Sequence, residues 1–196
     1  MATPVQDLLS ILDIEQLDLN LFRGRSPKSS WQRVFGGQVI AQALAAAIRT
    51  VDGPQPHSLH AYFILPGDIY DVDRLRDGRS FTTRRVTARQ HGHAIFSMLT
   101  SFHVEEPSLT HQADMPNVAT PEELTGDAAM RKALLPSMPG PVRSYFEKER
   151  PIELCPVDDR YSGKKIADGH FNMWIRTTEK LPDDPAIHQA ILAYAS

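Results

Sequence analysis

The chain has 196 residues, is 41% hydrophobic and carries a formal net charge of −3, a balance that fits folded domains and argues against long disorder. It lacks the clustered positive surplus that binding to a phosphate backbone requires, so nucleic acid is excluded as a principal partner. The only cysteine, Cys155, rules out an intrachain disulfide, speaks against a cysteine-built zinc site, and fits a reducing compartment, taken here as the cytoplasm.

The opening MATPVQDLLSILDIEQL has acids where a secretory leader needs a basic start and an unbroken apolar run, so no leader is read. No stretch approaches the roughly 20 apolar residues of a membrane span. The closing AYAS carries no peroxisomal address. Leu8, Leu9, Ile11, Leu12, Ile14 and Leu17 recur at helical spacing and predict a short amphipathic helix packed outside a larger unit. FRGRSPKSSW then reads as a strand end and a loop.

VFGGQVIAQALAAAIR, residues 34–49, reads as a helix opened by two glycines. Between Val39 and Ile48 only Gln42 is polar, so the segment is no ordinary surface helix with one wet side. Something must wrap it.

From Pro56 the period falls to two, with β-branched and aromatic residues crowding the next fifty positions. SLHAYFILPG places Leu59, Ala61, Phe63 and Leu65 on one face and His60, Tyr62 and Ile64 on the other. The stretch from Ile69 to Val104 carries two turn signals, Asp77-Gly78 and His91-Gly92, and reads as three antiparallel strands; in the last, Phe96, Met98, Thr100, Phe102 and Val104 share a face. One helix followed by four strands is an α+β pattern. A long antiparallel sheet wrapped around a single apolar helix, the hotdog arrangement, accounts for the missing polar face.

Prolines at 107, 116, 121, 136, 139 and 141 break residues 105 to 149 into short pieces, as in a linker crossing a surface. RPIELCPVD and HFNMWIRTT again read as strands. LPDDPAIHQAILAYAS reads as a helix, with Asp183 or Asp184 as its cap and Pro185 in its first turn. The domains expected are a first hotdog over 1–106, a linker over 107–149, and the opening of a second hotdog, begun and not completed, over 150–196.

LFRGRS, VFGGQVIAQAL, HSLHAYFILPGD, YDVDRLRDGRSFTTRRVTARQHG and PDDPAIHQAILAYAS, in this order, resemble the acyl-CoA thioesterase II (TesB-like) family. The resemblance implies two tandem hotdogs and hydrolysis of acyl-CoA to a free acid and coenzyme A by direct attack of water, without cofactor or metal. Family members continue past the YAS block into a catalytic aspartate, then supply a threonine and a glutamine. These three positions are absent from the sequence, so no catalytic residue is carried over. A chain of this kind is expected to bind acyl-CoA and to form homo-oligomers, since hotdogs hide their sheet edges by pairing.

Thioester hydrolysis needs a polarised carbonyl and stabilisation of an oxyanion. Gly36, Gly37 and Gln38 offer free N–H groups at the positive end of a helix, with no Cβ on the glycines to hinder approach. The same glycines also suit a tight turn that docks the helix on the sheet. His57 and His60 are candidate bases or phosphate ligands, and equally hydrogen-bonded strand residues. Trp31, Phe35, Tyr62 and Phe63 are candidates to line an acyl tunnel or to fill the core.

Arg74, Arg76, Arg79, Arg84, Arg85 and Arg89 suit coenzyme A phosphates. Alternation sends Arg84 to one face and Arg85 and Arg89 to the other, where Asp71 and Asp73 can partner them. His57, His60, His91 and His93 lack the spacing of a metal site, and Ser58, Ser97 and Ser101 lack the setting of a nucleophile elbow. Two other readings stand beside the thioesterase: a non-catalytic acyl-CoA-binding or assembly fragment, and a dehydratase acting on enoyl-CoA, for which the helix start lacks a carboxylate.

Overall fold

A computed structural model describes residues 2–25, 35–64, 69–124, 135–137, 140, 143, 149–157 and 171–196. The chain divides into two compact units, one formed by Gln6–Ser108 with Leu181–Ser196 and one by Met1–Val5 with Leu109–Lys180.

The Gln6–Leu12 part of α1 (Pro4–Leu12) belongs to the first unit and turns Leu8 and Leu12, one helical repeat apart, into the interior. The helix is shorter than the leucine spacing predicts. Ile14 N–H bonds the Leu12 carbonyl in a tight turn, Ile14 enters the core as a loop residue, and Leu17 stands half-exposed on a strand. That strand, β1 (Glu15–Asp18), pairs with β2 (Leu21–Arg23) in a hairpin held by the Arg23–Glu15 ion pair at 2.6 Å. Strands this short carry too few positions to show a period of two.

The sheet continues through β3 (Gln55–Phe63), β4 (Ile69–Asp77), β5 (Phe81–Gln90) and β6 (His93–His103). Its order is β1-β2-β4-β5-β6-β3, with every neighbouring pair antiparallel. At the β5–β6 turn His91 and Gly92 both take positive φ, 49° and 81°, the geometry of a two-residue turn whose twist matches the strands.

One face of the sheet packs on α2 (Gly36–Ile48). Tyr70 and Val72, Val86 and Ala88, and Phe96, Met98 and Phe102 meet Val39, Ala43, Leu44, Ala46 and Ala47 in a single buried cluster. The alanines let helix and sheet approach closely. The sheet does not enclose α2 alone, as the sequence led us to expect. A sheet covers only one side of a rod, and another side is taken by α3 (Pro185–Ala195), whose Ala190, Ile191 and Ala193 are buried. Asp184 caps α3, its carboxylate accepting from Ala186 N–H at 2.9 Å, with Pro185 in the first turn.

The arginine-rich hairpin divides as alternation requires. Arg85 pairs with Asp73 at 2.6 Å and Arg89 lies 3.9 Å from Asp71, both half-exposed on the outer face. Arg84 points inward and is 1% exposed. Its Nε donates to Thr50 Oγ1, Nη1 to the Arg76 and Thr83 carbonyls, and Nη2 to the Thr50 carbonyl and the Asp77 carboxylate. All five donors are used, so this guanidinium ties the end of α2 to the β4–β5 hairpin and leaves no donor for a ligand.

In the second unit β7 (Ile152–Pro156) pairs antiparallel with β8 (Met173–Thr177), and the Trp174 indole N–H donates to the Ala119 carbonyl at 2.9 Å. Cys155 is buried and unpaired in a disulfide. Arg176, hydrogen-bonded to Glu153 across the pair, is held further into its charged form than an ordinary arginine. Among the described residues no helix is long and apolar enough to cross a membrane, and no group of histidine, cysteine and carboxylate residues could hold a metal.

Candidate functional site

Phe35, in extended conformation, is the N-cap of α2 and makes no side-chain cap bond. The first N–H groups of a helix have no partner within it. Here the Gln38 and Val39 N–H groups bond back to the Phe35 carbonyl at 3.1 and 3.4 Å, which leaves Gly36 and Gly37 as the donors of the first turn. The Gln38 side chain is also engaged, donating to the Arg25 carbonyl at 3.1 Å.

The two glycines face different neighbours. A Cβ on Gly36 would come within 3.2 Å of the Phe63 ring, whereas one on Gly37 would lie 2.1 Å from the Tyr194 carbonyl oxygen and 2.5 Å from the Phe35 ring. Gly37 is therefore glycine because the last turn of α3 comes against it. The Phe35 and Tyr194 rings meet edge to face at 5.1 Å. Thus the GGQ block and the YAS block, 158 positions apart in the sequence, converge. The α3 carbonyl end also brings partial negative charge to the partial positive start of α2.

The other three candidates lie elsewhere. Leu59, Ala61 and Phe63 pair with Thr100, Met98 and Phe96 on the α2 side of the sheet, whereas His60 and Tyr62 pair with Leu99 and Ser97 on the opposite side. The His60 and Tyr62 rings touch each other, centroids 4.8 Å apart, and both are exposed. His57, at the bulge between Pro56 and Ser58, bonds Ser101 Oγ at 2.9 Å. Its ring also neighbours Phe81 and His103, and His103 in turn bonds Glu106 at 3.0 Å. So Gly36, Gly37 and Gln38 form one place, and His57, His60 and Tyr62 lie on the other face of the sheet. Trp31 and Leu65 lie outside the described residues.

Sequence reasoning missed the part played by α3. Nothing in the spacing of Ile187, Ile191 and Leu192 says that Ile191 is buried against another helix while Leu192 stays exposed. The signal available was Gly37, whose lack of a side chain marks a close backbone approach.

An antiparallel sheet packed on a central apolar helix, with the small β7–β8 sheet as a partial second copy, defines a hotdog protein of the α+β class. Residues 26–103 match the family described as acyl-CoA thioesterase N-terminal domain, and residues 141–196 that described as acyl-CoA thioesterase. The chain is 38% identical to acyl-CoA thioesterase 2 of Haemophilus influenzae, covering all of this chain and 71% of the relative. It is 47% identical to mouse acyl-coenzyme A thioesterase 8 over 95% of this chain and 63% of that protein. Among solved structures, acyl-CoA thioesterase II TesB2 of Mycobacterium marinum aligns with a TM-score of 0.71 at 38% identity, covering 96% of this chain and 67% of that one. A tesB protein of Mycobacterium avium subspecies paratuberculosis aligns at 0.75 and 30% identity, covering 97% and 68%. The chain belongs to the acyl-CoA thioesterase II, TesB-like, family. It spans between 63% and 71% of the length of these curated relatives.

Proposed function

We propose that this chain supplies the carbonyl-orienting part of an acyl-CoA thioesterase. The observation that carries this reading is the convergence of the Gly36-Gly37 turn on the end of α3, because the resemblance sets the catalytic aspartate directly after the YAS block. In the reaction water adds to the thioester carbonyl carbon. The negative charge that develops on the carbonyl oxygen is met by the Gly36 and Gly37 N–H groups; collapse breaks the C–S bond, and the departing coenzyme A sulfur takes up the proton that the water gives up, leaving the thiol and the carboxylic acid. A main-chain donor fixed in a helix start needs no reorientation as that charge forms. Gln38, its N–H and side chain both engaged, holds the turn in place and makes no substrate contact. We keep the division into a first hotdog over 1–106, a linker over 107–149 and the opening of a second over 150–196, and a cytoplasmic location, as parts of the same proposal.

The test is a titration with short- and long-chain acyl-CoA in which binding and thiol release are followed together. Saturable binding is expected, with thiol release near the uncatalysed rate, since the 196 residues lack the aspartate, threonine and glutamine that the resemblance calls for. Thiol release at the rate of a full-length relative would refute the need for those residues. Absence of saturable binding would refute the site. The alternative, a binding or assembly fragment without a catalytic role, is separated by joining the missing residues from a relative: gain of thiol release supports the thioesterase reading, and unchanged binding without turnover supports the fragment.

Among the described residues β3 forms an edge of the sheet, and Tyr62 and Phe63 in it, with Ile64 just after it, are more than half exposed. An apolar, unpaired edge favours self-association. Light scattering is expected to show a dimer or larger species; a monomer that persists at high concentration would contradict this.

A further inference from the structure

Gln42, in the second turn of α2, is 1% exposed. Its Nε2 donates to the carbonyls of Ile11 and Arg25, both at 2.9 Å, and its Oε1 accepts from the Tyr70 hydroxyl at 2.8 Å. One side chain therefore joins the end of α1, the exit of β2, α2 and β4. Gln38, one turn earlier on the same side of α2, donates to the same Arg25 carbonyl at 3.1 Å. A separate observation points to the same place: a Cβ on Gly24 would lie 2.4 to 2.9 Å from the Gln42 carboxamide atoms. With Gln42 in this bonded position, a side chain at Gly24 would have to displace the carboxamide from its partners.

We infer that Gln42, assisted by Gln38, is a positioning residue that fastens the chain to α2 where it leaves β2, with Gly24 providing the clearance. The amide is required by its chemistry. Two carbonyls need donors and one hydroxyl needs an acceptor, and only a carboxamide of this length offers both kinds at one site. Glutamate lacks the donors and methionine lacks all three groups. The fastening fixes Arg25 on α2 at the same helix start where Phe35 forms the N-cap, so both chain ends that flank residues 26–34 are set by α2. This inference goes beyond the thioesterase reading and does not depend on it.

The bonded carbonyl is that of the Arg25–Ser26 peptide bond, which is a trypsin site with an exposed arginine side chain. Limited digestion of the whole chain, followed by mass spectrometry, therefore reads the fastening directly, because cleavage requires the carbonyl to leave its donors. Gln42→Met is expected to raise the rate of cutting after Arg25 about tenfold or more, with no matching rise after Arg84 and Arg85 within β5. Gly24→Ala leaves Gln42 in place, crowds its amide, and is expected to act in the same direction. If Gln42→Met does not fold, Gly24→Ala alone decides. A wild-type rate after Arg25 in the variants that fold would overturn the inference. So would an equal acceleration at Arg25, Arg84 and Arg85, the mark of a general loss of stability.

Discussion

Replacing Gly37 by alanine tests the contact on which the site is built. The new Cβ would lie 2.1 Å from the Tyr194 carbonyl oxygen, inside the 3.0 Å that Cβ atoms keep from other heavy atoms, so α2 and α3 must part by about 0.9 Å or more. The obstacle is backbone, and no rotamer change relieves it. Overpacking of this kind costs about 1–3 kcal/mol, with the upper end apt here, while alanine's better helix propensity returns about 1 kcal/mol. The net loss is about 1–2 kcal/mol, which lowers Tm by about 2–8 °C for a chain of this size. Gly36→Ala is the internal control: its Cβ meets only the Phe63 ring at 3.2 Å, a side chain that can shift by a few tenths of an ångström. Circular dichroism melts of the two variants decide the matter. A Gly37→Ala protein as stable as wild type, or a Gly36→Ala protein destabilised as much as Gly37→Ala, would refute the reasoning.

Arg84→Met should lower stability in urea titrations by about 2–4 kcal/mol, since it leaves buried carbonyl acceptors without donors; an unchanged midpoint would contradict the fully bonded guanidinium. Asp77→Asn at the same bridge, with its side chain 60% exposed, should cost no more than about 1 kcal/mol. Asp73→Ala, which breaks the half-exposed pair with Arg85, should also cost less than about 1 kcal/mol and lose that effect in high salt. The Glu123 carboxylate accepts from the Thr120 backbone N–H and then from its hydroxyl, which holds its pKa below that of an ordinary glutamate. Its contribution to the turn is thus present above the unfolded pKa and is lost as pH falls through the lower folded value. A carbon-13 titration should place the Glu123 midpoint below that of an ordinary glutamate, and Thr120→Ala should move it upward.

Much of the fold was legible because its signals are periodic. The alternation in LHAYF, the turn at His91-Gly92 and the opposed directions of Arg84 and Arg85 follow from a period of two, and the structure keeps each. The cap was legible as one of Asp183 and Asp184 before Pro185, and the structure gives it to Asp184. What stayed hidden depends on contacts between elements distant in sequence. That Gly37 also marks a close backbone approach is not visible until Tyr194 is placed beside it. Gln42 reads as the odd polar residue on an apolar helix until Ile11, Arg25 and Tyr70 are found around it. His60 and Tyr62 belong to the strand face opposite Leu59 and Phe63, as alternation says, yet alternation alone does not tell which face receives the helix.

The central claim is that the start of α2 receives the thioester carbonyl. It is tested most directly by nitrogen-15 spectra of the chain titrated with a non-hydrolysable acyl-CoA analogue that keeps the carbonyl. The Gly36 and Gly37 amides are expected to shift downfield together along one saturating curve, with the His57, His60 and Tyr62 amides unmoved. Saturation that shifts the outer-face residues and leaves both glycine amides in place would contradict it.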